Sequence, residues 1–290
     1  MREQAFDPAS RRNILKKKGP GIDIFFLGVG SAFAQKHYQN NYLIVKGDTH
    51  VLVDFGMTGP RALQETAGLK PTDIEIILPT HSHADHVGGV ECLALMNRYI
   101  TRAILKRPQI TMVITEEYQR VLWDSTLRGG LEHNEARSEE TGSKMLFSDY
   151  FDVIRPRWKT QEPREIFEVT VGDIELEIFR TKHVPEQSGS WETSFVSFGL
   201  FIKGKENIFL SGDTRFDRDL IDHYADKSAV MFHDVQFFPG AVHAPLEDLK
   251  TLPQNIKDKM LLMHYADNWQ EQDISDFAGY AQQGLIYSFD

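Results

Sequence analysis

Short apolar segments separated by turn residues divide most of the chain into predicted strands and helices. Apolar runs of strand length lie at 22–28, 42–45, 51–55, 74–78, 167–171, 174–179, 195–202, 207–210 and 260–263. Helical spacing, with turn residues at the ends, predicts helices at 60–67, 90–100 and 246–252. Gly172 and Asp173 are typical of a hairpin turn between two of the strands. Because such hairpins are mixed with helices, the pattern predicts an α/β fold with two sheets between helical layers.

Two segments differ from this pattern. Residues 1–20 form a basic lead-in that ends in a Gly-Pro-Gly turn, and residues 98–165 carry charges of both signs with weak periodicity. We therefore predict one domain at 21–290 with a partly helical insertion at about 98–165. The aromatic residues of this insertion would either wall a substrate cleft or belong to the core. Those residues, with one histidine, are Tyr118, Trp123, His133, Tyr150 and Phe151.

Composition excludes several classes of protein. The 290 residues contain one cysteine, Cys92, so a disulfide framework and a thiolate zinc site are excluded, and any metal must bind histidines and carboxylates. No apolar run approaches the ~18 residues of a membrane span, and the N-terminus lacks the apolar segment of a secretory signal. These features predict a cytoplasmic protein without membrane association. The net charge of −10 argues against a protein that coats nucleic acid, because such binding depends on Lys and Arg.

The segment THSHADHVGG, residues 80–89, has the strongest chemical signal in the chain. It follows the strand predicted at 74–78. Since alternate residues of an extended chain face the same way, His81 and His83 can point to one metal. Asp85 and His86 lie after the turn and can reach a second position nearby. The two glycines that follow let the loop fold back tightly into the next helix.

Together with this motif, three later segments resemble the metallo-β-lactamase superfamily. His183 in RTKHVPE, Asp213 in FLSGDTRFD and His264 in LLMHYAD occupy places where that family has metal ligands. Asp54 in VLVDFG stands where the family has an aspartate that orients the histidine-rich loop. The resemblance covers nearly the whole chain. It implies the αββα metallo-β-lactamase sandwich, with the site at its edge between the two sheets.

The resemblance also implies a centre for two divalent metal ions. The first ion would be held by His81, His83, His183 and Asp213, and the second by Asp85, His86, His264 and the same Asp213. A shared carboxylate would hold the ions ~3.5–4 Å apart, a spacing that suits an in-line displacement. Imidazole and carboxylate ligands favour Zn²⁺, with Mn²⁺ or Fe²⁺ as alternatives.

Two further segments resemble the ribonuclease Z branch of the superfamily. They are LGVGSAFAQKHYQNNYLIV, which matches its first strand and turn, and HDVQFFPGAVHAPLEDL, where an acidic residue pairs with a downstream histidine. Here that pair is Asp234 and His243, which with Asp85 are the candidate catalytic residues. A metal-bound hydroxide would attack phosphorus, His243 would protonate the leaving alkoxide, and Asp234 would fix its tautomer. Alternatively, His243 caps a helix that starts at Pro245. His233 is predicted to be buried support.

The chain also differs from ribonuclease Z. It has no long, Gly-rich, basic arm to grip tRNA, and Ala244 follows His243 where ribonuclease Z usually has a hydroxyl. The long insertion and the segment VHAPLEDLKTLP resemble instead the anti-Pycsar type of cyclic-nucleotide phosphodiesterase. This resemblance predicts a small phosphodiester substrate, with cyclic mononucleotides hydrolysed to linear monophosphates. It also implies a homodimer.

Three alternatives remain at this point. The protein could be a tRNA 3′-processing endonuclease, a hydrolase of a lactone, ester or thioester on the same fold, or a metal-binding protein without catalytic activity. The missing arm and the acidic charge argue against long nucleic acid as substrate. Asp234 and His243 argue against lactone or ester chemistry, and the complete ligand set argues against a protein that has lost its activity.

Overall fold

The computed structural model describes residues 1–10, 13–135, 142 and 144–290, and its strands form two eight-stranded sheets. The strands are numbered along the chain. The first sheet has the order β1 (Arg2–Ala5), β16 (Leu285–Phe289), β2 (Ile22–Gly28), β3 (Asn41–Lys46), β4 (Thr49–Val53), β5 (Ile76–Leu78), β6 (Thr111–Val113), β7 (Asp152–Ile154). The second has the order β15 (Gly279–Tyr280), β14 (Met260–Met263), β13 (Val230–Asp234), β12 (Ile208–Leu210), β11 (Phe198–Lys203), β10 (Ile174–Arg180), β9 (Ile166–Val171), β8 (Arg157–Thr160).

Short helices connect the strands. The α-helices are α1 (Gly59–Ala67), α2 (Ala84–Val87), α3 (Val90–Met96), α4 (Glu116–Leu122), α5 (Arg128–Leu131), α6 (Arg218–Ala225), α7 (Leu246–Lys250) and α8 (Gln254–Lys257). Turns of π-helix follow α3 and α4, at Asn97–Arg102 and Trp123–Leu127. Short 3₁₀ turns lie at Pro71–Asp73, Phe147–Asp149 and Trp269–Glu271. Within the described part of the chain, no helix combines the length and apolar character needed to span a bilayer.

The core lies between the two sheets. All seven residues of β2 are buried, which explains why the strand does not alternate between apolar and polar residues; its one charged residue, Asp23, accepts a hydrogen bond from Lys17. Across the core, the ring centroid of Phe26 in β2 is 5.1 Å from that of Phe232 in β13. On the second sheet, Tyr224 of α6 packs 4.8 Å from Phe179 of β10, and beside the first sheet α1 buries Leu63. The predicted α/β architecture of two sheets between helical layers is confirmed.

The strand order gathers the candidate site residues. Strands β4 to β7 run parallel in one sheet, and β12 to β15 run parallel in the other. Asp54 follows β4, Asp213 comes three residues after β12, Asp234 is the last residue of β13, and His264 follows β14. Since parallel strands present their carboxyl ends at the same edge, residues distant in sequence meet at the edge of the sandwich.

The segment at 98–165 contributes to both sheets. It supplies β6, β7 and β8 as well as α4 and α5, while residues 136–141 and 143 lie outside the described residues. Tyr118, Tyr150 and Phe151 are buried in the core, Trp123 packs against it, and His133 is exposed. The aromatic residues therefore belong to the core or pack against it.

The sequence pattern also missed several elements. Residues 2–5 of the basic lead-in form β1, which pairs with β16 at the edge of the first sheet. Strand β13 and helix α6 were not predicted as elements. Strand β13 has five residues, all buried, and such a short apolar run has no period that distinguishes a strand from a helix. Its hydrogen bonds to β12 and β14 determine its conformation.

Candidate metal centre

The histidine-rich segment lies directly after β5, where the chain turns into α2. Nε2 of His81 is 3.0 Å from Nδ1 of His83. His183, three residues after β10, places its Nε2 3.1 Å from the same Nδ1. His81 and His183 are buried, whereas His83 is partly exposed. The structure therefore brings together the three imidazoles that the sequence assigned to one metal.

Asp213 lies between these histidines and a second group. Its Oδ2 is 3.7 Å from Nε2 of His81 and 3.8 Å from Nε2 of His183. On the other side, the same Oδ2 is 3.1 Å from Nε2 of His86 and 3.5 Å from Nε2 of His264. This one carboxylate oxygen is thus within reach of both groups, as a bridging ligand must be.

Asp85 completes the second group. Its Oδ2 lies 3.2 Å from Nε2 of His264 and 3.3 Å from Nε2 of His86. Within each of two sets, one ligand atom from each residue lies within 4.8 Å of all the others. The sets are His81, His83, His183 and Asp213, and Asp85, His86, Asp213 and His264.

The chemistry of these donors fits two divalent cations. Both carboxylate oxygens of Asp213 are buried, and neither accepts a hydrogen bond of normal geometry from a described residue, although Nε2 of His86 lies 3.1 Å from Oδ2. Nε2 of His86 is likewise buried without a hydrogen-bond partner in the described part of the chain. Burying a carboxylate without donors is costly, and a cation removes that cost. Nitrogen and oxygen donors of this kind suit Zn²⁺, Mn²⁺ or Fe²⁺.

The protonation of the site also favours cations. Burial lowers the pKa of His81 well below its usual value and that of His183 to about 4, so both rings are neutral, as metal ligands must be. Burial opposes a positive charge on His86, but nearby Asp213 and Asp85 hold its pKa well above the usual value, so this ring must release a proton when it binds a metal. The site therefore has an excess of buried carboxylate charge that attracts cations.

Asp54 supports the histidine-rich loop from behind. Its Oδ1 accepts a hydrogen bond from the Thr80 N–H at 2.7 Å, and its Oδ2 accepts one from the Thr80 hydroxyl at 2.8 Å. The same Oδ2 lies 2.7 Å from Nδ1 of His86. A carboxylate behind a ligating histidine fixes the ring and its tautomer. Asp54 has a φ of 60°, which is unusual outside glycine and is maintained here by these contacts.

Asp234 and His243 lie beside the second group. Nδ1 of His243 is 2.9 Å from Oδ2 of Asp234, which also accepts the Thr214 N–H at 2.8 Å. Asp234 is fully buried, and the side chain of His243 is 19% exposed, so this ring connects the interior with solvent. Burial lowers the pKa of His243, but Asp234 and then Asp213 raise it to about 9.

The position of His243 distinguishes between two interpretations of the sequence. Helix α7 has Pro245 at its N-cap and no side-chain hydrogen bond there, so His243 does not cap it. A third set of converging atoms comprises Asp213, Asp234, His243 and His264. Within this set, Asp234 and His243 already form a hydrogen bond with each other.

Comparison with known proteins identifies the family. The profile described as anti-Pycsar protein Apyc1 matches residues 22–287. The chain belongs to the Apyc1 family. The anti-Pycsar protein Apyc1 of Bacillus phage BSP38 is 34% identical over 250 residues, which cover 86% of this chain and 90% of the phage protein. That of Paenibacillus xerothermodurans is 35% identical over 273 residues, covering 92% and 98%.

A solved structure confirms the fold of this Apyc1-family protein. The metallo-β-lactamase fold protein YhfI from Bacillus subtilis superposes with a TM-score of 0.64 at 14% identity. The match covers 93% of this chain and 100% of YhfI. At this identity the likeness concerns the fold alone, and the fold is the one that the sequence resemblance implied.

Sequence reasoning missed the residues that hold Asp85 in place. The side-chain amide of Asn41 donates to the carbonyl oxygen of Asp85 at 3.5 Å, and its Oδ1 accepts the Gly56 N–H at 3.1 Å. A Cβ on Gly56 would lie 1.9 Å from the same carbonyl oxygen, so only glycine fits there. No motif spacing identifies Asn41, because its role depends on strand β3 lying next to the loop after β4.

The remaining histidines lie outside the two ligand sets. His233 is fully buried and its Nδ1 lies 2.8 Å from the carbonyl oxygen of Asp234, as expected for buried support. His50 accepts the Glu75 N–H through Nε2 at the far end of β5. His37, His133 and His223 likewise belong to none of the converging sets found among the described residues.

Replacing Asp54 with alanine is expected to weaken metal binding by about 10- to 100-fold while leaving the protein folded, because Thr80 and His86 lose their shared acceptor. Titration with a fluorescent zinc chelator measures this. Asp226→Ala, an exposed aspartate next to α6, is the matched control. Unchanged affinity in Asp54→Ala would show that the loop keeps its geometry without this carboxylate.

Proposed function

We propose that this Apyc1-family protein is a dinuclear metal-dependent phosphodiesterase that opens cyclic mononucleotides to linear monophosphates. The observation that carries the proposal is the convergence of seven side chains into two sets that share Asp213, beside the Asp234–His243 pair. The fold and the family support a metal-dependent hydrolase. The anti-Pycsar resemblance of the sequence supports the cyclic-nucleotide substrate.

The proposed centre would hold one ion at each set of ligands, with Asp213 shared between them. When bound, the two ions would bind phosphoryl oxygens and lower the pKa of a water molecule. Zn²⁺ is the proposed metal, and Mn²⁺ or Fe²⁺ are the alternatives. Neutral His81 and His183 offer lone pairs without releasing protons. The second set has two carboxylates, Asp85 and Asp213, whereas the first set has only Asp213. The second set therefore neutralises more of the charge of its metal ion.

Protein side chains supply the proton for the leaving group. Hydrolysis adds a water oxygen to phosphorus, breaks one phosphorus–oxygen bond of the ring, and gives a proton to the departing ribose oxygen. Asp234 accepts the Nδ1 proton of His243, which leaves Nε2 as the nitrogen that exchanges a proton with substrate. Nε2 has no hydrogen-bond partner among the described residues. His243 is therefore the proposed general acid, and Asp234 its orienting partner.

Charge distinguishes a small substrate from a long one. A 3′,5′-cyclic phosphate has a single negative charge, which two cations can bind without a basic protein surface. A long nucleic acid must be bound along many phosphates, and a chain of net charge −10 without a basic arm is poorly suited to this. These arguments favour cyclic mononucleotides over tRNA precursors. A homodimer stays a prediction of the resemblance.

The metal-loaded protein is expected to convert cyclic mononucleotides to linear monophosphates, with weak salt dependence and no trimming of tRNA precursor. Chromatographic product analysis with cyclic nucleotides of all four bases, a tRNA precursor and a panel of lactones tests this at matched enzyme and metal. Protein treated with a chelator is the control. Efficient trimming of the precursor with every cyclic mononucleotide left intact would favour the endonuclease, and turnover of lactones alone would favour the ester hydrolase.

A further inference from the structure

The loop at 236–243, between β13 and α7, has an unusual backbone. Gly240 has a φ of 76°, and Ala241 has a φ of 62°. The left-handed region is uncommon for alanine because its Cβ approaches the backbone, so such a residue persists only where its surroundings hold it. Two residues later the chain reaches His243. The conformation of Ala241 therefore affects where the His243 ring lies.

Side chains bind backbone carbonyl groups at alternate residues of this loop, 238, 240 and 242. The Gln236 amide donates to the carbonyl oxygen of Phe238 at 2.8 Å and also to that of Gly240. His183 binds the Val242 carbonyl oxygen through Nδ1 at 2.8 Å. Ala241 lies between these two anchors, and neither of them binds its N–H.

Glu186 provides the missing anchor. Its Oε1 accepts the Ala241 N–H at 2.8 Å, across a sequence separation of 55 residues. The same oxygen lies so close to the turn that a Cβ on Gly240 would approach it to 3.2 Å. The guanidinium of Arg215 donates to the carbonyl oxygens of Glu186 and Ser188, so the segment carrying this carboxylate is itself fixed.

We propose that Glu186 is a positioning residue for His243. Its hydrogen bond to Ala241 ties the segment after His183 to the left-handed turn before His243. In this way Glu186 fixes the position of the His243 ring relative to the proposed metal centre. Glu186 does not touch the reacting atoms in this proposal. The inference rests on the proposed function and extends it, because Glu186 would hold the proton donor His243 in position.

Three variants test this role. Glu186→Ala removes the acceptor, Glu186→Gln keeps an oxygen that can accept the Ala241 N–H, and Glu192→Ala is the matched control. Glu192 is an exposed glutamate that lies, like Glu186, between β10 and β11, and no described residue forms a hydrogen bond or ion pair with it. Each variant is assayed with a cyclic mononucleotide and with bis(p-nitrophenyl) phosphate, whose leaving group needs no proton.

Glu186→Ala is expected to lower kcat on the cyclic nucleotide by about three- to tenfold, the size of one ordinary hydrogen bond at an exposed position, and on the nitrophenyl substrate by less than about twofold. Bound metal should be unchanged. Glu186→Gln should restore most of the loss, and Glu192→Ala should behave as wild type. Equal losses on both substrates, or no loss on either, would overturn the proposal.

Amide hydrogen exchange of the peptide covering 236–243 provides a second measurement that needs no activity. Glu186→Ala should exchange faster there than wild type, and Glu192→Ala should not. Unchanged exchange would overturn the positioning role. If the wild-type protein opened no cyclic nucleotide while exchange still rose in Glu186→Ala, the proposed function would fail and the anchoring of the loop would stand.

Discussion

Replacing Asp213 with alanine is expected to remove at least one of the two proposed metal ions and to lower turnover by more than about 10³-fold. Among the described residues, Asp213 is the only one shared by the two proposed ligand sets, and its Oδ2 lies 3.1 Å from Nε2 of His86 and 3.7 Å from Nε2 of His81. Without it, each set loses a ligand and the link between them. Elemental analysis of the purified variant, with a turnover assay on the same sample, measures both effects.

The fold of this variant should be retained, since the apolar core between the sheets does not include Asp213. Circular dichroism checks this. Asp226→Ala, which removes an exposed aspartate, is the control for the change of charge. Two metal ions retained per chain with activity unchanged would show that Asp213 is not the bridging ligand.

Replacing His243 with alanine is expected to leave both metal ions in place and to lower turnover of a cyclic mononucleotide by about 10²- to 10⁴-fold, the usual cost of losing a general acid. His243 lies at the rim, 2.9 Å from Asp234, and neither proposed four-ligand set includes it. The loss should be much smaller on a nitrophenyl phosphodiester, since p-nitrophenolate leaves without a proton.

Metal content and kcat on the two substrates are the measurements. His223→Ala, on helix α6 and outside the converging sets, is the control. An equal loss on both substrates would assign His243 to substrate binding or to the metal centre instead of proton transfer. Loss of a metal ion in His243→Ala would assign His243 to the metal centre, because the third set of converging atoms includes this histidine.

Much of the candidate site could be predicted because its residues lie at the ends of strands that the apolar pattern reveals. The segment at 80–89 places four ligands within six residues, so local geometry is enough to suggest two metals. Asp213 and His264 each come shortly after a short apolar run, at 207–210 and 260–263. The family resemblance selected these two from the other aspartates and histidines. Composition alone did not distinguish them.

Other features depended on how distant segments meet. The aromatic residues of 98–165 were ambiguous between cleft and core, and only the tertiary structure placed them in or against the core, with Tyr118 packed 6.1 Å from Phe198 of β11 and Trp123 6.0 Å from Phe147. Asn41 and Gly56 hold Asp85 through contacts between distant segments. Both lie inside segments quoted for the family resemblance, but the resemblance gave neither residue a role. The π-helical turns after α3 and α4 were likewise not predicted, since their residues have no period that distinguishes a π-helix from an α-helix.

The sequence by itself predicted the α/β class, the four donors at 81–86 and the lack of thiolate ligands, because strand-length apolar runs, ligand spacing and residue content are properties of the chain alone. The resemblance to the metallo-β-lactamase superfamily added His183, Asp213 and His264. The tertiary structure decided which neighbours orient those donors. Asp54 holds Thr80 and His86, and Glu186 holds Ala241 across 55 residues. Hydrogen bonds of this kind depend on the path of each loop, which is determined only when the two sheets pack and bring their strand ends to one edge.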